Sequence, residues 1–300
     1  MTFQTAVLPA PEHTLKLAKM HVYAYDPEMS PLDQFVDDRL SHGRATFTRR
    51  DAEQALDLKK QGLVAALVRL TRRKRIVSPH KGFFIILRPE DQPSGAPDPS
   101  QWIDPLMRFL DLDYRVSLLR AAAFHGASHQ AAMVFQVIVP KQLRSVEIGR
   151  HRLQFLTQTP HAFTSVNTPQ HLAQIKTSAG FAKVAGVALT LLDSVRYVAK
   201  AGGLNTVAQI VKDIGPKVDP RALRQLAPNY ENSCVRRLGY LFDQFGLVRQ
   251  ARALEPYAAK AKTAVVLDAT AKPLPESIAR AQARELKWKL ILNAEVEVDF

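Results

Sequence analysis

The sequence has little cysteine: Cys234 is the only one among its 300 residues. A single thiol closes no intramolecular disulfide and builds no cysteine-based zinc site, so both devices are excluded. A lone cysteine is more often a small buried residue than a nucleophile, and we expect Cys234 to lie buried on a helix. This cysteine usage fits a reducing compartment, and we expect a cytoplasmic protein.

Long apolar runs are also missing. The longest apolar-leaning stretch, residues 181–192, is interrupted by Lys183 and Gly186 and is too short to span a bilayer. The first eleven residues lack the basic start and the apolar run of a signal peptide. We therefore expect no membrane partner.

The motifs that mark common enzymes are absent from the sequence, which has no P-loop, no dinucleotide-binding glycine fingerprint and no nucleophile elbow. His125 and His129 have the spacing of a metal pair, but Gly126 and Ser128 interrupt the helix, so hydrogen-bonded histidines in a turn are favoured. Asp193 is expected to be a cap partner or a buried hydrogen-bond acceptor. We expect no catalytic site, metal or cofactor, and a protein that is not an enzyme.

Positive charge, by contrast, is abundant: the formal net charge is +13. Residues 39–88 hold thirteen Lys and Arg against three acidic residues, whereas residues 1–38 carry two basic and six acidic residues. Such a local excess is typical of a surface that binds nucleic acid. The alternative is a charged face that is only solvated.

Three helices are predicted inside and just before this basic segment, over residues 31–40, 49–56 and 60–74. The second is expected to begin with a capping box, in which Thr48 is the N-cap and Asp51 the third helical residue. In the third helix, apolar residues at helical spacing are expected to face the core: Leu63, Val64, Leu67 and Leu70.

A β-hairpin is predicted directly after the third helix, with strands at 75–78 and 83–87 and a turn at 79–82. Three helices followed by a hairpin is the element order of a winged helix-turn-helix, which we place at residues 31–90. Residues 1–30, which contain several prolines, are interpreted as an N-terminal extension.

A DNA-binding role for this domain predicts its contact residues. The third helix is expected to enter the major groove, the start of the second helix to favour phosphate, and the wing tip to approach a minor groove. A winged helix used only for protein contact is the competing hypothesis. The predicted contacts are Thr48, Arg49, Arg50, Lys59, Lys60, Gln61, Arg69, Arg72, Arg73, His80 and Lys81.

Residues 91–100, rich in proline, predict a linker to a larger mixed α/β domain at 101–300, so the expected fold class is α+β. Within that domain Arg236 and Arg237 either bind an anion or lie on a helix surface. Helices are predicted at 105–112, 115–125, 185–200, 206–215 and 233–245. Strands are predicted at 133–140 and 152–157, and a strand-like tail at 288–298.

Several short motifs follow one another along the chain: HKGFF at 80–84, YRVSLLRAAAFHG at 114–126, VALTLLD at 187–193, GGL at 202–204 and RRLGYLF at 236–242. This succession, within roughly residues 32–300, resembles the AbiEi-type antitoxins of bacterial type IV toxin–antitoxin, or abortive infection, systems.

The resemblance implies a function. Such proteins pair a winged helix with a larger antitoxin domain, repress their own operon at inverted repeats in its promoter, and counter a nucleotidyltransferase-like toxin, usually without a stable complex. We therefore predict a transcriptional regulator with antitoxin activity and double-stranded DNA as its partner. The alternatives are a winged-helix regulator whose C-terminal domain senses a ligand or oligomerises, and a nucleic-acid enzyme or RNA-binding factor.

Overall fold

The computed structural model describes residues 29–127, 134–177, 180–271 and 283–298. The fold is α+β, as predicted. Its buried apolar side chains form two clusters, one within a small N-terminal unit and a larger one in the C-terminal unit that also includes Phe83 and Ile85 of the N-terminal unit. Most of the predicted N-terminal extension, residues 1–28, lies outside the described residues, and so does His129.

The N-terminal unit contains three helices and a three-stranded antiparallel sheet of order β1-β3-β2. Its hairpin turn is Lys81–Gly82, tighter than predicted, because β2 runs on through Pro79 and His80 with an irregular register. Gly82 has a φ of +87°, which suits a residue without a Cβ in such a turn. The elements are α1 Pro31–Ser41, β1 Thr46–Thr48, α2 Arg49–Ala55, α3 Lys60–Arg72, β2 Ile76–His80 and β3 Phe83–Ile86.

The predicted capping box at the start of α2 is confirmed. The Thr48 hydroxyl accepts a hydrogen bond from the Asp51 backbone N–H at 3.1 Å, and the Asp51 carboxylate accepts one from the Thr48 N–H at 2.7 Å. This exchange satisfies amides at the helix start that have no partner within the helix.

The core of the small unit lies between α3 and the sheet. Leu63, Leu67 and Leu70 are buried there, together with the rings of Phe47 and Phe84, which stack with centroids 5.1 Å apart. Val64, the fourth apolar residue expected to face this core, does not face it.

Val64 is 43% exposed, so its predicted inward orientation is wrong. Residue 64 lies about 100° around the helix from Leu63. The buried stripe is instead completed by Ala66, which leaves Val64 on the outer face of α3.

The C-terminal unit is built on a mixed six-stranded sheet of order β6-β7-β5-β4-β9-β8, with a second small sheet of order β10-β12-β11. Its helices are α4 Ile103–Phe109, α5 Leu118–Phe124, α6 Pro160–Val166, α7 Val187–Arg196, α8 Leu204–Ile214, α9 Pro220–Leu226, α10 Asn232–Gln244 and α11 Val248–Lys260. Its strands are β4 Arg115–Val116, β5 Val134–Val139, β6 Val146–Ile148, β7 His151–Thr157, β8 Leu172–Thr177, β9 Gly180–Ala185, β10 Val265–Val266, β11 Arg284–Glu285 and β12 Leu290–Ile291.

Two predicted elements of this unit need correction. The helix expected from residue 115 begins at Leu118, because Arg115 and Val116 pair with β5 and Val116 also pairs with β9. The strand-like tail at 288–298 is a strand only at Leu290–Ile291, where it pairs with both neighbours in the small sheet.

The segment predicted as a linker is packed against the C-terminal unit. The Ser94 carbonyl accepts a hydrogen bond from the Arg150 N–H at 2.8 Å, and Trp102 donates its indole N–H to the Pro97 carbonyl at 3.0 Å. A Cβ on Gly149 would lie 2.1 Å from the Ser94 oxygen, so only glycine permits this approach. Residues 91–100 therefore join the two units through a close-packed junction.

Candidate nucleic-acid interface

The outer face of α3 carries most of the predicted contact residues. Lys59, Lys60 and Gln61 are exposed at its start, and Arg69 and Arg72 are exposed near its end. Arg73, the residue that follows the helix, is exposed as well. No acidic residue occurs within α3, so this face has cations at both ends and no negative charge of its own.

Acidic residues of α1 neutralise only the far end of this cationic surface. Asp37 pairs with Arg75, and Asp33 lies 3.9 Å from Arg73. In the part of the chain that the structure describes, no carboxylate lies within ion-pair distance of these exposed cations: Arg50, Lys59, Lys60, Arg69, Arg72, Lys74 and Lys81.

The structure brings the start of α2 and the β2–β3 turn together. The Arg49 backbone N–H donates to the Gly82 carbonyl at 2.8 Å, which links the first residue of α2 to the β2–β3 turn. The amides of Arg49 and Asp51 are therefore already bonded within the protein, and the expectation of phosphate binding here depends on side chains. The Arg49 guanidinium forms a salt bridge with the Glu53 carboxylate, with Nε and Oε1 2.9 Å apart, whereas the Arg50 side chain is exposed.

The β2–β3 turn, predicted as the tip of the wing, packs against the C-terminal unit. The His80 ring contacts Phe109 of α4 edge to face, with centroids 5.8 Å apart, and Phe83 also contacts Phe109 at 5.6 Å. Lys81, in contrast, is exposed. Of the two wing residues predicted to contact DNA, His80 is thus partly committed to an intramolecular contact.

Two valines on α3 were missed as surface residues. Val64 is 43% exposed and Val68 is 44% exposed, and both lie between the cationic ends of the helix. Val64 and Val68 each directly follow a buried leucine, Leu63 and Leu67, instead of lying four residues from it. This spacing is the sequence signal that places both valines beside the buried stripe.

A buried ion pair lies at the centre of the C-terminal unit, away from this interface. Arg115 and Asp193 are both 0% exposed and form a bidentate pair with two N–O distances of 2.9 Å. The Asp193 carboxylate also accepts hydrogen bonds from the Ser117 and Tyr230 hydroxyls, each at 2.7 Å. Four donors fill its acceptor sites, which confirms Asp193 as a buried hydrogen-bond acceptor.

Electrostatics reinforce this arrangement. Burial lowers the pKa of Arg115, but the charge and hydrogen bonds of the Asp193 carboxylate act together with the Tyr230 and Tyr197 hydroxyls to more than offset that effect, and the pKa is raised. Burial, together with Asp193, raises the pKa of the Tyr230 hydroxyl well above its ordinary value, so the phenol remains a donor. The network is therefore a fixed structural unit.

Other polar residues singled out in the sequence also have structural roles. Cys234 is buried on α10, as predicted, and burial raises the pKa of its thiol. His125 Nε2 lies 2.7 Å from the Ala185 carbonyl oxygen, as expected of a hydrogen-bonded histidine, and burial lowers the pKa of its ring. Among the described residues no three His, Cys, Asp or Glu side chains form a group that could hold a metal.

Both predicted alternatives for Arg236 are wrong, since it is buried and donates to the Thr263 and Lys289 carbonyls at 3.0 Å each. Gly239, one turn along α10, touches the same C-terminal segment, because a Cβ there would lie 2.2 Å from the Trp288 ring. The RRLGYLF motif therefore holds the segment that follows α11 onto the core.

Nowhere in the described ranges is a helix long and apolar enough to cross a membrane.

Replacing Thr48 by alanine is expected to lower the free energy of unfolding by about 1 kcal/mol, because the Asp51 N–H loses its capping acceptor. Urea denaturation followed by circular dichroism measures this loss. Thr48→Ser keeps a hydroxyl and serves as the control, with a much smaller expected change. Equal stability of the alanine variant and the unmodified protein would contradict a stabilising role for the cap.

Comparisons with known proteins agree with the C-terminal motifs. Residues 115–244 match the family model described as the AbiEi antitoxin C-terminal domain. The chain is also similar in fold to the RV2827C protein from Mycobacterium tuberculosis, whose crystal structure superposes with a TM-score of 0.59 at 15% identity over 86% of this chain and 89% of that one. Comparison with curated proteins gave no match. Residues 115–244 therefore match the AbiEi antitoxin C-terminal domain, as the ordered motifs within them predict.

Proposed function

We propose that this protein is the antitoxin of a type IV toxin–antitoxin system and represses its own operon through the N-terminal unit, acting as a winged helix-turn-helix. The observation that carries the DNA-binding part is the outer face of α3, which is exposed, free of acidic residues and cationic at both ends. The element order α1-β1-α2-α3-β2-β3 supports the same interpretation.

The dimensions of α3 suit a major groove. Lys60 and Arg72 lie twelve residues apart, which corresponds to about 18 Å along the helix axis. A major groove is about 12 Å wide, so cations at the two ends of the helix reach phosphates on either side. Lys60 and Gln61, at the N-terminal end, are then positioned to meet base edges.

The start of α2 and the wing supply a second region of phosphate contact. Because the Arg49 N–H is bonded to the Gly82 carbonyl, the exposed residues Arg50 and Lys81 lie near each other where α2 meets the β2–β3 turn. Exposed lysine and arginine side chains hold a protein in register on the DNA backbone without reading its sequence. His80 contributes less in this proposal, since its ring packs against Phe109.

The antitoxin role is assigned to the C-terminal domain, whose residues 115–244 match the antitoxin family. A nucleotidyltransferase-like toxin, countered without a stable complex, is the expected partner by family resemblance. The packed junction at residues 91–100 means that the DNA-binding surface and this domain are held together rather than separated by an extended tether.

The test is binding of the full chain to DNA from upstream of its own gene, measured by fluorescence anisotropy at two salt concentrations. We expect binding that is selective over a scrambled duplex of the same composition and that weakens steeply with salt, because phosphate contacts release counterions. Equally weak binding to both duplexes would rule out the proposed operator recognition.

A further inference from the structure

The middle of the exposed face of α3 is apolar, although both of its ends are cationic. Val64 is 43% exposed and Val68 is 44% exposed. They are one turn apart and therefore lie on the same side of the helix, next to the exposed Ala65. None of these side chains offers a hydrogen bond to a partner.

The surrounding charge favours a polyanion as the occupant. Cations flank the apolar stripe at both ends, and α3 contains no acidic residue. Within the major groove the one apolar feature of the base edges is the thymine C5-methyl group, which small apolar side chains contact directly. A guanine or cytosine edge against valine would instead lose hydrogen bonds to water without replacement.

We infer that Val64 and Val68 read thymine methyl groups in the operator, an inference that rests on the DNA-binding function proposed above. Four residues of α-helix rise about 6 Å, close to two base-pair steps of about 3.4 Å each, so the two valines reach different base pairs. Gln61 lies one turn before Val64 on the same face and has the donor and acceptor that adenine requires. The half-site contacted by the middle of α3 is therefore rich in A·T pairs.

The experiment uses the upstream DNA that the full chain binds selectively, called the operator here. Its thymidines are replaced one at a time by deoxyuridine, which removes only the methyl group. At one or two positions in each half-site we expect binding by the full chain to weaken about fourfold, the equivalent of one buried methyl. Val64→Ala and Val68→Ala should each abolish the sensitivity at one of those positions. Val248→Ala serves as the matched control, because Val248 is 54% exposed on a different helix.

The possible failures are distinguishable. Selective operator binding that is unaffected by deoxyuridine at every position overturns the methyl contact and leaves the proposed DNA-binding function intact. Loss of sensitivity in the Val248 control as well also overturns it, since the effect would not come from α3. Absence of selective binding to the thymine-containing operator overturns the proposed function itself.

Discussion

Replacing Lys59, Lys60, Arg69, Arg72 and Arg73 together by alanine is expected to weaken operator binding by about 10²- to 10³-fold near physiological salt. These cations line the two ends of α3 and the residues that flank it, and each is exposed. Each phosphate contact that is lost should also reduce the slope of log affinity against log salt by about 0.9. Anisotropy titrations at several salt concentrations measure both quantities.

A charge-matched variant separates this surface from total charge. Replacing five exposed cations of α9 and α11 by alanine removes the same charge elsewhere and should leave binding within about twofold, since long-range effects of distant charges are screened. The residues are Arg221, Arg224, Arg249, Arg252 and Lys260.

Equal losses in the two variants would show that affinity follows net charge and not the α3 surface. Neither variant removes a buried side chain, so the free energy of unfolding of both should be close to that of the unmodified protein. Because the antitoxin role is assigned to the C-terminal domain, the α3 variant is also expected to keep protecting cells that express the toxin.

Asp193→Ala is expected to lower the free energy of unfolding by about 3–5 kcal/mol, because it leaves the Arg115 guanidinium buried without a counter-charge. The substitution also removes the acceptor of the Ser117 and Tyr230 hydroxyls. Such a loss is a large part of the stability of an ordinary domain. Chemical denaturation followed by tryptophan fluorescence reports it, since Trp102 and Trp288 both lie in the same core.

Two further variants test whether the stability lost in Asp193→Ala comes from the unpaired buried charge. Glu147→Ala breaks the exposed pair with Arg152, whose atoms lie 3.5 Å apart, and should cost less than about 1 kcal/mol. The double variant Arg115→Met with Asp193→Leu removes both charges and should recover much of the stability lost by Asp193→Ala. An Asp193→Ala protein as stable as the Glu147→Ala protein would contradict a structural role for the buried network.

The features that the sequence predicted well are those set by short-range interactions. The capping box of Thr48 and Asp51 depends on residues three positions apart, and it forms as predicted. The run of cations on α3 is local in the same sense, because helical spacing and the free-energy cost of burying a charge place it outside. The antitoxin motifs are likewise ordered along the chain, and the family match over residues 115–244 agrees with them.

Features that depend on partners distant in sequence were missed. β1 has only three residues and exists because it pairs with β3, about forty residues later. Arg115 and Val116 read as the start of a helix, but pairing with β5 makes them a strand. The two charges of the buried network come from positions 115 and 193, and no local pattern reveals that they meet.

The sequence by itself determined the fold class, the basic helix and the family of the C-terminal domain, because composition, periodicity and ordered motifs are properties of neighbouring residues. Only the tertiary structure decided which valines of α3 face outward, which carbonyls accept the hydrogen bonds of Arg236 and how residues 91–100 pack. Those outcomes depend on which surfaces meet when the chain folds. Burial is a property of the packed whole, whereas propensity is a property of the segment.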